Sequence, residues 1–276
     1  MLPGDVAFVS RPQLDLDRPE RVEDTMRRAL GREAPDVVVS AAAWTDVDGA
    51  ERNPDAARRR NALAPEAIAR TTRRAGVPLV HLSTDFVFAG LDSEPKREED
   101  VPAPVNAYGR TKLEGEGRVR AADPDAIVVR TAWVHSPWGA NFVRSVLRWA
   151  EERDTVEAAA DQHGSPTSAL HLAAALVALA ERLPDPSLVG SYHLAGEGRT
   201  SRFDVARAVL RESERLGGPR AAVRPVSADR FPLPAPRPGD TALDTSRARL
   251  RLGLVLPPWE EGVRDTVRRV LGSPPA

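Results

Sequence analysis

The first half of the chain alternates short apolar runs with longer segments in which apolar residues recur every three or four positions. Short runs rich in β-branched residues predict strands, and the longer periodic segments predict amphipathic helices. A repeated strand–helix order of this kind predicts an α/β fold built on a parallel sheet. The predicted strands are 6–9, 36–40, 77–82 and 126–129, and the predicted helices are 19–30, 54–75 and 106–120.

The sequence also predicts how two of these elements are placed. The run from Asp36 to Ser40 (DVVVS) is continuously apolar in its centre, which predicts a strand that is buried on both faces. Gly76 directly follows the predicted helix 54–75. Glycine is favoured just after a helix because it adopts a left-handed backbone at low cost, so we expect this helix to end there.

The pattern changes beyond about residue 150, where proline-rich loops such as 231–238 (FPLPAPRP) separate the periodic segments. This change predicts a smaller mixed α/β substrate domain that lies over the carboxyl ends of the strands, where α/β folds bind their ligands. We therefore divide the chain into a first unit, 1–150, and a second unit, 151–276. The helices predicted in the second unit are 168–182, 202–215 and 260–271.

Composition and charge narrow the functional classes. The 276 residues include no cysteine and carry a formal net charge of −1. The absence of cysteine excludes a disulfide framework and thiolate metal sites, and it suits a cytoplasmic enzyme. A near-neutral charge argues against a non-specific binder of nucleic acid or membrane surfaces. Four histidines show no metal-ligand spacing. They are His135, His163, His171 and His193.

Tyr108 and Lys112 form a Tyr-x-x-x-Lys motif (YGRTK) from two residue types that are rare in this chain. There are 2 tyrosines, and Lys96 and Lys112 are the lysines among 39 basic residues. On a helix, positions i and i+4 lie on one face, roughly 5–6 Å apart. We expect the ammonium of Lys112 to lower the pKa of Tyr108. Such a phenol can give a proton to an alkoxide as hydride reaches a carbonyl carbon; the alternative is an ordinary surface pair.

Two further groups of residues stand where predicted strands end. Ser83 and Thr84 would carry hydroxyls at the carboxyl end of a strand, where they could hydrogen-bond a substrate carbonyl and place it against Tyr108. A simple strand-end turn is the alternative interpretation. The segment 40–44 (SAAAW) follows another strand, and its small residues either let a ligand approach the backbone closely or serve only packing.

Several segments occur together in a fixed order. They are 36–51 (DVVVSAAAWTDVDGAE), 83–90 (STDFVFAG), 106–116 (NAYGRTKLEGE), 130–134 (RTAWV), 141–142 (NF), 161–167 (DQHGSPT), 192–196 (YHLAG), 237–238 (RP) and 256–262 (LPPWEEG). Through these segments the chain resembles the extended short-chain dehydrogenases/reductases, and most closely the dTDP-4-dehydrorhamnose reductase family. The resemblance runs from about residue 6 to residue 271.

The resemblance implies a Rossmann-type NAD(P)-binding domain, 1–150, and a substrate-binding domain, 151–276. It also implies NADPH-dependent reduction of the C4 ketone of a dTDP-4-keto-6-deoxyhexose in deoxysugar biosynthesis. Tyr108 would be the proton donor, and Lys112 would lower the pKa of Tyr108 and hold the nicotinamide ribose. Thr84 would be the third catalytic residue. The residues implied to line the cofactor are Ala42, Ala43, Trp44 and Ser83. The residues implied to contact the substrate are Thr84, Asp85, Trp133, Asn141 and Arg237, the last of these at the diphosphate.

The sequence departs from the family at its start, because no glycine-rich phosphate loop (G-x-G-x-x-G) occurs there. Compared with the family, the chain would begin just before the second strand and lack roughly 25–30 residues, one β-loop-α unit. The first strand and its loop hold the cofactor pyrophosphate in this fold. We therefore expect this chain to bind a dinucleotide poorly and an upstream extension to restore binding. The Gly196-Glu-Gly198 sequence is interpreted as a turn.

Residues after the predicted strand 6–9 bear on cofactor choice. NAD-preferring folds place an acidic residue here for the ribose 2′-hydroxyl, whereas an arginine accommodates a 2′-phosphate. Ser10 and Arg11 follow the strand, and the first carboxylate comes at Asp15. This order predicts NADPH as the cofactor, with NADH as a second possibility. Asp15 and Leu16 match the family stretch that contacts the adenine, and a simple helix-entry loop is the alternative interpretation.

Two alternatives to this reductase remain open. One is a reductase or epimerase that acts on another nucleotide sugar. The other is a non-catalytic binding subunit resembling the regulatory subunit of methionine adenosyltransferase. Such a subunit would not need a tyrosine with a shifted pKa, so the presence of Tyr108, Lys112 and Thr84 argues against it. The expected partner is a dTDP-sugar, with no nucleic acid and no membrane, and a homodimer is possible.

Overall fold

The computed structural model describes residues 6–272. Its α-helices are α1 (Pro19–Glu33), α2 (Val47–Arg52), α3 (Pro54–Arg58), α4 (Ala64–Ala75), α5 (Ala107–Ala122), α6 (Phe142–Glu152), α7 (Ala169–Ala180), α8 (Arg202–Arg215) and α9 (Trp259–Val270). Its strands are β1 (Val38–Ser40), β2 (Leu79–Thr84), β3 (Ile127–Thr131), β4 (Val134–His135), β5 (Thr155–Ala159), β6 (His163–Gly164), β7 (Thr167–Ser168), β8 (Gly190–His193), β9 (Thr200–Ser201) and β10 (Ala222–Val226). The π-helical turns are Arg59–Leu63 and Ala248–Leu252, and the 3-10 turns are Asp85–Val87, Pro186–Leu188 and Ala228–Arg230.

Four strands form a parallel sheet in the order β1-β2-β3-β8. Apolar side chains of helices α1, α4 and α5 pack on one face of this sheet, where Met26, Ile68 and Val119 surround Leu79. Helix α7 and the π-helical turn at Ala248–Leu252 pack on the other face. The α/β fold with a parallel sheet is therefore confirmed, and helices cover both faces of the sheet, which carry separate apolar clusters.

The prediction of a strand at 6–9 is wrong. Residues 6–10 have no regular secondary structure, and Phe8 is 84% exposed. A short apolar run becomes a strand only where it finds a hydrogen-bonding edge and a core to pack against. Among the described residues, no strand pairs with this segment. Val9 alone packs against the apolar cluster that contains Met26, Ile68 and Leu79.

The second strand is also less buried than its sequence indicated. Strand β1 comprises only Val38–Ser40, and it is an edge strand of the described four-stranded sheet. Val39 is 39% exposed, so the prediction of a strand buried on both faces is wrong. The apolar run reflects burial of Val38 beside α1, not a central position in the sheet.

The predicted helices agree better with the structure, since local periodicity determines them. Helix α8 has the predicted bounds, Arg202–Arg215. The predicted helix 54–75 is α3, a π-helical turn and α4 in succession, and it ends at Gly76 with φ of 69°, as expected. Helix α5 begins one residue after Asn106 and extends to Ala122.

The second part of the chain packs around another core. Helices α6, α8 and α9 enclose this core with β5, which pairs in parallel with β10. Strand β8, however, returns to the first sheet and pairs with β3, and residue 150 lies within α6. The division at that residue stays a prediction. In the described part of the chain, no helix is both long and apolar enough to cross a membrane.

Candidate active site

The carboxyl ends of three parallel strands meet at one edge of the sheet. Strand β1 ends at Ser40, β2 at Thr84 and β3 at Thr131. Ligands of open α/β sheets bind at this edge because the loops that leave the strands surround it. The loop after β1, the turn after β2 and the start of α5 bring most of the predicted site residues to this place.

Helix α5 is fixed at its first turn, and this fixes Tyr108. Asn106 is fully buried and caps the helix, since its Oδ1 accepts a hydrogen bond from the amide of Gly109 at 2.8 Å. Its Nδ2 donates to the carbonyl of Pro236 at 2.9 Å. A carboxylate oxygen of Glu51 accepts from the amide of Ala107 at 2.7 Å. Acidic and amide caps satisfy free helix amides and stabilise this end of the helix.

Gly109 allows the helix to approach the turn after β2. A Cβ atom at this position would lie 2.1 Å from the carbonyl oxygen of Phe86 and 2.9 Å from the Cβ of Pro104. Only glycine fits at such a distance from a backbone oxygen. The close approach places the ring of Tyr108 edge-on to that of Phe86, with 5.8 Å between their centres. The glycine in YGRTK therefore has a positioning role.

The electrostatic environment of Tyr108 differs from the expectation. Burial raises the pKa of Tyr108 to about 12; the charge of Asp85 acts in the same direction, and hydrogen bonding with Thr84 opposes them. The predicted lowering of this pKa by Lys112 is therefore wrong for the structure as described. A phenol with such a pKa keeps its proton at neutral pH, so Tyr108 is held as a proton donor.

Lys112 is buried beneath the same edge, with 2% of its surface exposed. Its Nζ donates a hydrogen bond to the carbonyl oxygen of Leu82 at 2.6 Å. Burial lowers the pKa of Lys112 to about 8, and the charge of Glu116 opposes this shift. The ammonium is thus tied to β2 two residues before the strand ends. Its charge is lost in mildly alkaline solution.

A buried ion pair lies between α5 and the sheet, and sequence reasoning gave it no role. Glu116 accepts two hydrogen bonds from Arg130, at 2.9 Å to Nε and 2.8 Å to Nη2, and a third from Arg120 at 3.1 Å. Glu116 is fully buried, and Arg130 is 3% exposed. Burial by itself would raise the pKa of Glu116, but Arg130 lowers it to about 2. The available signal was an arginine inside an apolar strand, which must find a buried partner.

Thr84 and Asp85 form a second buried group beside Tyr108. The hydroxyl of Thr84 donates to Asp85 Oδ1 at 3.0 Å and accepts from the amide of Phe86 at 3.2 Å. The other carboxylate oxygen of Asp85 accepts from the hydroxyl of Thr241. Burial raises the pKa of Asp85 to about 6, although both threonines and Arg202 act in the opposite direction.

This raised pKa predicts a pH-dependent stability. We expect Asp85→Asn to stabilise the fold by about 2–3 kcal/mol at about pH 8, because the variant removes a buried charge. The asparagine can still pair with both threonine hydroxyls. Since the folded pKa lies above the unfolded value, ionisation of Asp85 destabilises the fold increasingly between about pH 4 and pH 6. Urea unfolding of both proteins at several pH values measures this difference.

The matched control for that experiment is Asp229→Asn, which changes an exposed aspartate. Its free energy of unfolding should stay within about 0.5 kcal/mol of wild type at every pH. The advantage of Asp85→Asn should disappear below about pH 4, where both states are protonated. A constant difference across the whole pH range would contradict the buried charge as its cause.

Trp133 has an unusual backbone and a tightly defined position. Its φ angle is 45°, in the left-handed region that costs a non-glycine residue about 1–2 kcal/mol. Gly164 makes room for its indole, since a Cβ there would lie 2.5 Å from the ring. The guanidinium of Arg202 stacks on the indole at 3.5 Å from its centre. Sequence reasoning missed Gly164 and Arg202, for which a single sequence offers no distinguishing signal.

Two of the predicted substrate residues are engaged in contacts within the protein. Arg237 forms a bidentate pair with Asp48, with distances of 3.0 and 2.9 Å, which joins the proline-rich loop to α2. Asn141 caps α6 by accepting from the amide of Arg144 at 3.2 Å. Its Nδ2 donates to the carbonyl of Ser136 at 2.8 Å. Both side chains therefore have a structural explanation that needs no ligand.

The loop after β1 holds the cofactor residues predicted from small side chains. Ala42 is exposed, and Ala43 and Trp44 are half-buried. Asn61, fully buried in the π-helical turn, fixes the loop by accepting from the Trp44 amide at 2.8 Å and donating to the Trp44 carbonyl at 3.1 Å. The Arg60 guanidinium lies 4.2 Å from the Trp44 ring centre. π-helical turns are frequent at functional sites, but no pattern in the sequence predicts this one.

The remaining cofactor residues are less available. Arg11 pairs with Asp15 at 3.2 Å and with Asp17 at 2.7 Å, so the predicted 2′-phosphate ligand already has two carboxylate partners. Leu16 is 8% exposed and belongs to the apolar cluster under α1. Ser83 is 5% exposed, and its register with Arg130 places it on the α5 side of the sheet, opposite the face of Thr84.

Comparison with known proteins places this site in context. Residues 4–271 match the family model described as RmlD substrate binding domain. The dTDP-4-dehydrorhamnose reductase of Sinorhizobium fredii is 38% identical over 270 residues, covering 97% of this chain and 90% of that protein. The protein of the same name from Salmonella typhimurium is 39% identical over 253 residues, covering 91% and 83%.

A solved structure agrees with these relatives. The crystal structure of the Bacillus anthracis dTDP-4-dehydrorhamnose reductase in complex with NADP superposes with a TM-score of 0.86 at 31% identity. The match covers 95% of this chain and 89% of that one. The parallel sheet, with helices on both faces, is accordingly of the Rossmann type. The chain belongs to the dTDP-4-dehydrorhamnose reductase family.

Proposed function

We propose that this chain catalyses the NADPH-dependent reduction of the C4 ketone of dTDP-4-dehydrorhamnose. The observation that carries this proposal is the half-buried Tyr108, whose phenol lies beside Thr84 at the carboxyl edge of the sheet and whose pKa is raised to about 12 by loss of hydration. A ketone reductase needs a protonated acid at this place, because the alkoxide that forms at C4 is a stronger base than a phenolate. Family membership supports the same reaction.

The proposed roles follow from the surroundings of each residue. The Thr84 hydroxyl lies beside Tyr108, and before the substrate binds its single proton is donated to Asp85 at 3.0 Å. When that proton turns to the C4 oxygen it orients this oxygen toward the phenol, and Tyr108 then donates its own proton to it. NADPH, when bound, supplies the hydride. Lys112, tied to the Leu82 carbonyl, lies one helical turn after Tyr108 on α5 and holds positive charge on the face of the helix where the phenolate remains after proton transfer.

The loop after β1 suits a flat ring of the dinucleotide better than it suits the pyrophosphate. Ala42 and Ala43 lack bulky side chains, so a flat ring can approach the backbone beside Trp44. Lys112 would hold the nicotinamide ribose. The loop 41–46 contains no glycine, and it therefore differs from the glycine-rich turn that normally cradles a pyrophosphate. Arg11, Asp15, Leu16 and Ser83 remain proposals as cofactor contacts.

Domain roles and assembly are proposed on the same basis. The sheet with its β1 loop would form the cofactor domain. The unit around α6, α8 and α9 would cover the substrate, since Trp133 packs against its core. We propose Trp133 as a substrate contact, and Arg237 and Asn141 as residues that shape the site. A homodimer and a cytoplasmic location stay predictions.

The direct test is NADPH oxidation in the presence of dTDP-4-dehydrorhamnose, followed by the loss of NADPH absorbance. Turnover that requires both compounds supports the reductase. A folded protein that binds NADPH but does not turn over this sugar would favour another nucleotide sugar as substrate. A folded protein that neither binds NADPH nor reduces any nucleotide sugar would favour the non-catalytic binding subunit.

The buried lysine predicts the alkaline limit of this activity. We expect kcat/KM to fall about tenfold per pH unit above about pH 8, because the ammonium of Lys112 is present below its pKa and lost above it. Tyr108, with a pKa of about 12, would impose no limit in this range. A pH profile of kcat/KM between about pH 6 and pH 10 measures the break.

The control for this profile is Lys112→Arg, whose charge persists throughout the range. Any activity that remains in the variant should lack the break near pH 8. If the variant keeps the same break, another group is responsible and the proposed role of the ammonium is wrong.

A further inference from the structure

We infer that Arg202, the first residue of α8, binds the diphosphate of the nucleotide-sugar substrate. This inference rests on the proposed function and assigns its anion-binding residue. The dTDP-sugar and NADPH both carry phosphate groups, so the cofactor phosphates are the competing ligand of Arg202. The experiment below separates the two ligands.

The Arg202 guanidinium forms no ion pair with any of the residues that the structure describes. Among residues 6–272, no carboxylate lies within 4.0 Å of it, and no hydrogen bond from its side chain is formed. Other arginines around the site differ, because Arg199 pairs with Asp240 at 2.7 Å and Arg237 pairs with Asp48. A cation removed from water without a partner is costly, so its persistence here indicates that a ligand supplies the partner.

The guanidinium of Arg202 is held in place while remaining partly exposed. Arg202 lies against two aromatic rings, 3.5 Å from the centre of Trp133 and 4.9 Å from the centre of Phe142. Stacking on aromatic rings orients the planar fork of a guanidinium without using its N–H groups. The residue is half-buried, and loss of hydration lowers its pKa to about 10. The side chain is therefore partly exposed, and its N–H groups form no hydrogen bond with the part of the chain that the structure describes.

The position of Arg202 also points to the substrate. Arg202 stacks on Trp133, which lies two residues beyond the end of β3 at Thr131. This is the edge of the sheet at which β2 ends at Thr84, beside Tyr108. A dTDP-sugar carries its negative charge on the diphosphate, one sugar ring away from the reacting C4 carbon. A guanidinium at the edge of the cleft suits that anion.

The contacts of Arg202 and Arg237 change the sequence-based assignment of the residue that binds the diphosphate. Arg237 was expected at the diphosphate, but Asp48 occupies both sides of its fork. An arginine that is already neutralised would have to break a bidentate pair before it could bind an anion. Arg202 needs no such exchange, and it is the better candidate for direct contact.

The experiment compares Arg202→Gln and Arg202→Met with wild type in titrations with dTDP, thymidine and NADPH, followed by tryptophan fluorescence and calorimetry. We expect the affinity for dTDP to fall about 30-fold in both variants, as for a lost charge-assisted hydrogen bond. The affinities for thymidine and NADPH should stay within about twofold. Arg207→Gln is the matched control on the same helix, because its exposed side chain pairs with Asp204, and it should bind dTDP as wild type does.

The unfolding midpoints and the thymidine affinity show whether Arg202 has a purely structural role instead. Met keeps apolar contact with Trp133, and both variants remove an unpaired cation, so their thermal unfolding midpoints without ligand should equal or exceed that of wild type. Equal losses of affinity for thymidine and dTDP would overturn the inference by showing a distorted pocket. A loss of NADPH affinity with unchanged dTDP affinity would overturn it by assigning Arg202 to the cofactor.

The outcomes for the site and for the reaction are separable. Arg202-dependent binding of dTDP without reduction of dTDP-4-dehydrorhamnose would support the anion site and contradict the proposed function. Reduction of that sugar with dTDP affinity independent of Arg202 would support the function and overturn the inference.

Discussion

Replacing Tyr108 by phenylalanine is expected to lower kcat for NADPH-dependent ketone reduction by a factor of about 10² to 10⁴, the usual contribution of a positioned general acid. The structure gives the reason, because burial keeps this phenol protonated, with its pKa at about 12, and Thr84 interacts with its hydroxyl. The phenylalanine ring retains the edge-on contact with Phe86. The loss should therefore appear in kcat, measured at saturating substrate and cofactor.

The chain provides a matched control in its second tyrosine. Tyr192 is 2% exposed and lies in the apolar cluster under α7, on β8. Tyr192→Phe removes the same hydroxyl from a place remote from Thr84, and kcat should stay close to that of wild type. Affinity for NADPH should be unchanged in Tyr108→Phe. A Tyr108→Phe enzyme that keeps more than about a tenth of wild-type kcat would show that another group, or water, donates the proton.

Sequence reasoning succeeded where local pattern determines structure. Helix α8 has the predicted bounds, and α5 places Tyr108 and Lys112 four residues apart on one helix, at the edge of the sheet. Helical periodicity, capping residues such as Asn106 and a following glycine such as Gly76 are properties of neighbouring residues. They can be interpreted from one sequence because the same residues also make the contacts.

Sequence reasoning failed where the outcome depends on distant partners. The run 6–9 resembles a strand, yet Phe8 is 84% exposed because no sheet edge among the described residues pairs with it. Arg237 and Asn141 were assigned to the substrate, but Asp48 and the α6 amides use their polar groups. Conversely, Arg202 is important because, among residues 6–272, no carboxylate lies within 4.0 Å of its guanidinium, and only a three-dimensional structure can reveal that.

The pKa of Tyr108 illustrates the same limit in electrostatics. A lysine four residues away predicts a lowered pKa when charge alone is considered. In the structure, Lys112 is directed to the Leu82 carbonyl, and the strongest influence on Tyr108 is burial, which acts in the opposite direction. Desolvation depends on everything that surrounds a group, so sequence spacing does not determine its size.

The second large effect is expected at the ion pair beneath α5. We expect Glu116→Gln to lower the free energy of unfolding by about 3–5 kcal/mol at neutral pH, because it leaves Arg130 buried with an uncompensated charge. Glu114→Gln is the matched control two residues earlier on the same helix. Glu114 is half-buried and pairs with Arg58 and Arg118, so its loss should cost no more than about 1 kcal/mol. Urea unfolding at neutral pH compares the two.

Two further measurements distinguish this pair from a general packing defect. Since Arg130 lowers the pKa of Glu116 to about 2, wild type should keep the stability from this pair above about pH 4.5 and lose it progressively as the pH falls toward 2. The Glu116→Gln variant should lack that part of the acid dependence. The double variant Glu116→Leu, Arg130→Leu should recover most of the lost stability, because neither charge remains buried.

The pair also connects stability to catalysis through Lys112. The Glu116 carboxylate opposes the lowering of the Lys112 pKa by burial, so Glu116→Gln should move the alkaline break in kcat/KM below about pH 8. A structural defect alone would reduce activity without moving that break. A Glu116→Gln enzyme with an unchanged break, or with a stability loss below about 1 kcal/mol, would contradict the argument. The ion pair would then be too well solvated to matter, despite the burial of both residues.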